Sequence, residues 1–383
     1  MENISKLSLD FSVNYSFNVF FGSNITASFE LYEKLFSNDQ NHSKAIIFVE
    51  DKVSFSFPDK IHKIALILAK LTNPELTSTP IIMPSGEKNK NIEQALKICN
   101  ILSKNRICRH SYVIAIGGGA FLDTVCFAAS ISHRGIRQIR FPTTVVSQCD
   151  SGLGVKNSIN LFGIKNFVGT FYPPYAVIND FDFINSLPLR EKISGAAEAI
   201  KVAIIKDASF FKYLKENSAK IASGDQDVYK YLVMNSAKIH SEHIAKGGDP
   251  FEKGNSRPLD FGHWLAHKLE TLSKGKIRHG EAVAIGMASD SFTAMKLKLI
   301  SKEEFNEIIQ LLISCKLPIW DKILIENKKI PEILSGLDEF REHLGGKLCI
   351  TLPNGIGKKI EINHIESNLI LEGFNALKNI SNQ

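Results

Sequence analysis

The chain has 383 residues, 44% hydrophobic and 22% charged, an ordinary globular composition and length enough for two or three domains. Its 46 basic and 40 acidic residues leave a net charge of +6, spread along the chain without a basic block, so no nucleic-acid partner is expected. No apolar run reaches the length of a membrane span, and residues 1–17 lack the apolar stretch of a signal peptide. Cys99, Cys108, Cys126, Cys149, Cys315 and Cys349 form no Cys-x-x-Cys pair and read as reduced thiols, which predicts a cytoplasmic protein with no membrane partner.

The first half alternates strand and helix signals. KAIIFVED (44–51) is a short apolar run ending in acids, the pattern of a buried parallel strand. Residues 59–70 carry helical spacing, TPIIMP reads as a strand, and 91–104 form an amphipathic helix. SYVIAIGGG (111–119) is a strand running into glycines, followed by a helix through FLDTVCFAASISHRG and the strand RQIRFP. This alternation predicts an α/β fold with a doubly wound parallel sheet. After Leu187 the patterns are helical, with a late hairpin turning at Asn354-Gly355. The expected division is an α/β domain over 1–187 and a mostly helical domain over 188–383, with the site in the cleft between them.

Gly117-Gly118-Gly119 follows a strand and precedes a helix, where bare backbone N–H groups can approach a phosphate. The run lacks the usual dinucleotide spacing, and a tight turn alone also wants glycine. Asp123 either accepts from a ligand hydroxyl or favours the helix start. Pro84 to Lys90 reads on its own as a solvated loop. The stretch 147–174 interleaves Asp150, Lys156, Asn157, Asn160, Lys165 and Asn166 with glycines, as a ligand-facing segment or a polar surface hairpin would. Glu198 and Lys201 are the charges on an otherwise apolar helix start, three residues apart on one face, which favours a buried site over a surface ion pair. His263 and His267 are one helical turn apart, and His279 precedes Gly-Glu. Imidazoles with the Glu198 carboxylate suit zinc or a similar divalent ion, and spacing alone nominates His263 and His267 as the ligand pair.

The ordered motifs SGEKNK, GGGAFLD, HRGIRQIRFPTT, DSGLGVKN, GIKNFVGTFYPP, AAEAIK, DFGHWLAH and RHGEAVAIGM resemble those of 3-dehydroquinate synthase and its relatives, the sugar phosphate cyclases. The resemblance spans roughly residues 44–352 and implies a Rossmann-like NAD domain joined to a helical metal domain. It also implies an NAD- and metal-dependent carbon–oxygen lyase, with zinc or cobalt, acting on a phosphorylated seven-carbon sugar as a homodimer. In that reaction the cofactor oxidises an alcohol transiently, phosphate leaves, the hydride returns, and an aldol step closes a carbocycle. By the resemblance, Glu198, His263 and His279 hold the metal, and His267 faces the substrate phosphate with Arg134, Lys156 and Asn166. Asp150, Lys165, Lys201, Arg257 and Asp260 surround the ring. Asp51, Glu87, Lys90, Gly117, Gly118, Asp123, Thr143 and Thr144 fall at the NAD positions.

Several positions depart from the family pattern. Asp260 stands where Asn is usual, and the stretch from Arg257 to His263 is one residue short. Gly154-Val155-Lys156 replaces Gly-Gly-Lys, and a lysine expected near the substrate carboxylate aligns with His243. The late phosphate motif is replaced by EFREHLGGK, where Arg341 or Lys347 is the substitute. An added carboxylate and a lost cation disfavour a carboxylated substrate. That points to the 2-epi-5-epi-valiolone synthase-like use of sedoheptulose 7-phosphate as an alternative. Two other readings keep the fold: a net polyol or glycerol phosphate dehydrogenase, and a non-catalytic NAD-binding protein.

Overall fold

A computed structural model describes residues 6–37, 44–254 and 258–382. Its strands are β1 (Asn18–Gly22), β2 (Ala45–Glu50), β3 (Ile81–Met83), β4 (Tyr112–Gly117), β5 (Arg137–Pro142), β6 (Lys156–Leu161), β7 (Ile164–Phe171), β8 (Ala176–Asp180), β9 (Ile350–Pro353) and β10 (Lys359–Ile362). Six of them make one parallel sheet in the order β1-β8-β5-β4-β2-β3. Strands β2 and β4 read as unbroken apolar runs because both sheet faces are covered. Ala45, Ile47, Val49, Tyr112, Ile114 and Ile116 pack on one face with the Pro58–Leu71 helix. Ile46, Phe48, Val113 and Ala115 pack on the other with the Ile92–Lys104 and Gly119–Ile131 helices.

Strands β1 and β8, at one side of the sheet, carry no clear sequence signal because each is only five residues long. Asp180 ties them together: its carboxylate accepts from the backbone N–H groups of Asn24 and Thr26 and from the Thr26 hydroxyl. From β2 the chain goes outward to β3, then crosses back past β2 to β4 and β5. The carboxyl ends of β2 and β4 therefore flank a topological switch point, the place where open α/β sheets bind ligands.

Beyond β8 helices dominate, as the sequence predicts. The Leu189–Lys206 helix is its axis, with every residue from Ile193 to Ile205 buried. The His279–Lys296 helix crosses it so closely that a Cβ on Gly280 would lie 1.7 Å from the Ser194 carbonyl oxygen. Glycine is required there, and the approach sets His279 against the helix that carries Glu198. The late hairpin pairs β9 with β10, but its loop spans residues 354–358 and is not a two-residue turn. Tertiary anchoring overrides the local preference: Gly355 N–H donates to the Leu299 carbonyl and Gly357 N–H to that of Ile204. The 147–174 stretch contains the β6–β7 hairpin, joined to the loop after β3 by Asn160 N–H donating to the Lys90 carbonyl at 2.9 Å.

Candidate metal and cofactor site

Glu198, His263 and His279 each offer a ligand atom, all within 4.8 Å of one another. His279 Nε2 lies 3.1 Å from Glu198 Oε1, and His263 Nε2 lies 3.9 Å from the same oxygen. Tetrahedral zinc with bonds near ~2.1 Å needs ligand atoms roughly 3.4 Å apart, so these residues need little adjustment to hold an ion. The far side of each ring is tethered. His263 Nδ1 meets the Phe261 carbonyl at 3.1 Å, and His279 Nδ1 meets Glu270 Oε2 at 3.2 Å. That outward bonding fixes the tautomer that presents Nε2, as in metal sites generally. His267 is not in this trio; its ring stands edge-on to His263 at 5.6 Å. The one-turn spacing puts both histidines on one face, while the convergence with Glu198 selects His263.

Electrostatics follow the same lines. Burial opposes charge on His279, yet Glu270 and Glu198 push its imidazole up to about 10, so an ion binding at Nε2 would displace a proton. Burial and His263 press His267 down to about 3, so it is a neutral imidazole. Burial works against the Glu198 carboxylate, but Lys201 and the two histidines hold it well below the usual range. Lys201 Nζ sits 2.5 Å from Glu198 Oε2, poorly aligned for a hydrogen bond, so that buried oxygen lacks a hydrogen-bond partner. The other oxygen, Oε1, is the one that faces both histidine rings and would coordinate a divalent ion. Glu270→Gln keeps the shape and removes the charge behind His279, so metal affinity is expected to fall about 10- to 100-fold in competition with a chromogenic chelator.

Asp290, almost fully buried, accepts from Gly262 N–H at 3.0 Å and from Trp264 Nε1 at 2.9 Å, the two residues flanking His263. Burial pushes its carboxyl up to about 7. The folded protein then keeps a proton that the unfolded chain has lost, so Asp290 makes stability fall as pH rises from ~4 to about 7 and then level off. Asp290→Asn is expected to remove that slope, read by urea unfolding of both proteins at about pH 5 and about pH 8.

A continuous polar path joins this trio to the sheet. Glu270 accepts from Lys165 Nζ on β7 at 2.9 Å, and Lys165 lies 3.8 Å from Glu87. Glu87 accepts from Asn160, and Lys90 donates to both Asp123 and Asn166 at 2.5 Å. On the other side, Lys201 donates to Asp150 at 3.2 Å. Asp260 is held below its usual range: burial opposes this, but Lys156, His263 and Lys201 outweigh it. At the switch point, Gly118 N–H donates to Glu50 Oε2 at 2.7 Å, and Thr143 N–H donates to the Gly117 carbonyl at 3.1 Å. A Cβ on Gly118 would meet Thr144 at 3.1 Å, so glycine suits this close strand-to-helix turn. Asp51 borders it, accepting from Ser85 N–H.

Other expected residues are not gathered here. Arg134 is exposed in a left-handed turn, with no described bond to the trio. Arg257 lies outside the described residues. Lys156 reaches the site's edge, where its charge acts on Asp260, but it pairs with Glu252 at 2.5 Å and is half exposed. Arg341 is engaged by Asp338 on its own helix, and Lys347 is exposed, so neither takes up the late phosphate role among the described contacts. His243 faces Lys206 and Lys359, away from the site; one turn earlier, His240 faces Asp150 instead. Sequence reading also missed Glu270 and Arg140. Glu270 shares a helix face with His263 and His267, a legible signal. Buried Arg140 clamps the 147–174 stretch through Gly154, Asn157 and Tyr172, is steadied by Gln138 on its own strand, and lay hidden inside that strand.

A family model described as 3-dehydroquinate synthase N-terminal matches residues 80–194, and one described as 3-dehydroquinate synthase C-terminal matches 195–337. A 3-dehydroquinate synthase of Campylobacter fetus subsp. fetus (strain 82-40) is 36% identical over 352 residues, covering 89% of this chain and 98% of the relative. A 2-epi-5-epi-valiolone synthase of Streptomyces glaucescens is 35% identical over 284 residues, covering 74% and 72%. Among solved structures, ValA, a 2-epi-5-epi-valiolone synthase from Streptomyces hygroscopicus subsp. jinggangensis 5008 with NAD+ and Zn2+ bound, has a TM-score of 0.85 at 23% identity, covering 98% of this chain and 100% of that one. The fold is thus that of a Rossmann-like α/β unit with a helical partner, and the chain belongs to the 3-dehydroquinate synthase family.

Proposed function

We propose that this protein is an NAD- and divalent-metal-dependent sugar phosphate cyclase, a carbon–oxygen lyase that converts a seven-carbon sugar phosphate to a carbocycle with loss of phosphate. The observation that carries this reading is the convergence of Glu198, His263 and His279 behind tethered Nδ1 atoms, linked by Lys165 and Glu270 to the cofactor loop. When bound, the ion polarises substrate hydroxyls and NAD+ accepts and returns a hydride. The chain's own groups do the rest. Lys201 offers a buried cation beside Glu198 and Asp150, lowering the cost of a developing alkoxide. Neutral His267 offers a ring N–H to the phosphate end, whose negative charge would raise its basicity for proton transfer. Asn166 and Lys90 orient the cofactor side of the pocket.

The division of labour follows the 187/188 boundary in this reading, with cofactor groups before it and metal groups after it. A homodimer is supported by exposed apolar side chains on the hairpin, Phe162, Ile164, Phe167 and Phe171, and before β1, Leu7, Leu9 and Phe11. The free thiols support a cytoplasmic setting. Among the described residues no helix is long and apolar enough to cross a membrane.

The test is a phosphate-release screen of the zinc- or cobalt-loaded protein with NAD+ and phosphorylated seven-carbon ketoses. Stoichiometric release with a carbocyclic product is expected. No release from any of them overturns the reading.

A further inference from the structure

Arg140 lies inside β5, 1% exposed, and the chemistry above gives it no part. Its Nη1 donates to the Gly154 carbonyl at 2.6 Å. Its Nη2 donates to Asn157 Oδ1 at 2.8 Å and to Gln138 Oε1 at 3.1 Å, with the Tyr172 carbonyl at 3.3 Å. Among the described contacts every hydrogen-bond acceptor is a neutral oxygen, and none is a carboxylate. A buried guanidinium without an anionic partner is costly, and an apolar side chain would fill the space at less cost. The planar fork does what an apolar or point-charge residue does not: it gathers oxygens from three segments at fixed angles.

Two of those segments are the two ends of the β6–β7 hairpin. Asn157 is the second residue of β6, and Tyr172 directly follows β7. Tyr172 N–H donates to the Val155 carbonyl at 2.7 Å, and Asn157 Nδ2 donates to the Tyr172 carbonyl at 3.3 Å, so the guanidinium completes a ring of bonds at the hairpin root. Further out the hairpin is lightly held. No residue of β7 is fully buried, and Ile159 and Val168 are its members in the sheet-side core. At the far end, Lys165 donates to Glu270 at 2.9 Å and Asn166 accepts from Lys90 at 2.5 Å. Asn157 and Leu161 span β6 from root to tip, about 13 Å of strand. A tilt of about 5° at the root therefore displaces Lys165 and Asn166 by about 1 Å, and a misplacement of that size costs on the order of 100-fold in rate.

We infer that Arg140 is a positioning residue for the proposed reaction. Seated at the root of the β6–β7 hairpin, it sets the hairpin's angle and thereby the places of Lys165 and Asn166 in the pocket. The inference rests on the cyclase reading above.

The experiment uses the zinc- and NAD-loaded full chain as wild type, Arg140→Lys, Asn157→Ala and the double variant, each at a temperature where circular dichroism shows it folded. Hairpin order is read from the rate of trypsin cleavage after Lys165, mapped by mass spectrometry, and function from kcat for phosphate release. Lys165 is 28% exposed and paired with Glu270, so cleavage there requires the hairpin to open. Arg140→Lys keeps the charge but replaces the fork with a single point donor. It is expected to lower kcat and to speed the cleavage, each by at least ~10-fold. Zinc affinity is expected to stay within about threefold, because Glu198, His263 and His279 all lie off the hairpin. Asn157→Ala, with Arg140 intact, is expected to lower kcat at least ~3-fold, and the double variant to match Arg140→Lys within about twofold, since both changes remove one link. A folded Arg140→Lys with kcat and cleavage within about twofold of wild type overturns the inference. So do single-variant effects that multiply in the double, or a loss of kcat matched by an equal loss of zinc affinity, the mark of general loosening. If Arg140→Lys does not fold, Asn157→Ala decides, and unchanged kcat and cleavage overturn the inference. Wild type that releases no phosphate defeats the cyclase reading, and the cleavage rates then still decide whether Arg140 sets the hairpin.

Discussion

Glu198→Gln is expected to lose the bound divalent ion and, with it, phosphate release, by at least about a thousandfold. Glu198 is the anionic member of the trio, 1% exposed and beside the Lys201 ammonium at 2.5 Å. Glutamine keeps the volume but leaves Lys201 balanced by Asp150 alone, with no anion at the ligand position to offset its repulsion of a cation. Metal content by mass spectrometry and phosphate release at saturating metal check this together. Wild-type metal content with a rate within about twofold of normal would contradict it.

Lys201→Met is expected to do the opposite to the metal and the same to the reaction. Methionine fills the buried space but removes the cation shared by Glu198 and Asp150. The two carboxylates then attract a divalent ion more strongly, so the ion is retained. Turnover falls about 100-fold or more, because no buried ammonium remains to meet developing negative charge. Breaking a buried pair costs about 3–5 kcal/mol, and in the metal-free protein that loss is expected in full. Urea unfolding with and without zinc separates the two effects: the deficit should shrink when metal is present. A deficit that is the same in both states would show that Lys201 does not act through the ligand carboxylate.

Much of this architecture is legible in the sequence, for physical reasons. Strands β2 and β4 announce themselves because two covered faces demand apolar residues at every position. Glu198 and Lys201 stand out because a charge inside an all-apolar helix needs a partner. The helical period puts His263 and His267 on one face but does not reveal which of them meets Glu198. That depends on how the His263–Leu272 helix packs beside the Leu189–Lys206 helix, far away in the chain. His240 stayed hidden for the same reason, since Asp150 reaches it from a turn after β5. The sequence nominates His243, its neighbour one turn on, which instead lies beside Lys206 and Lys359. The hairpin loop at 354–358 is set by contacts to Leu299 and Ile204, which local turn chemistry does not encode.

If Glu198, His263 and His279 share an ion beside the cofactor, hydride leaves and returns there within one turnover. A single-turnover experiment with a phosphorylated seven-carbon ketose, following reduced nicotinamide absorbance and inorganic phosphate in the same sample, tests it most directly. The account predicts a transient rise in absorbance that returns to baseline as one equivalent of phosphate appears. Reduced cofactor that accumulates with turnover, without phosphate, would make the protein a net dehydrogenase and contradict the account.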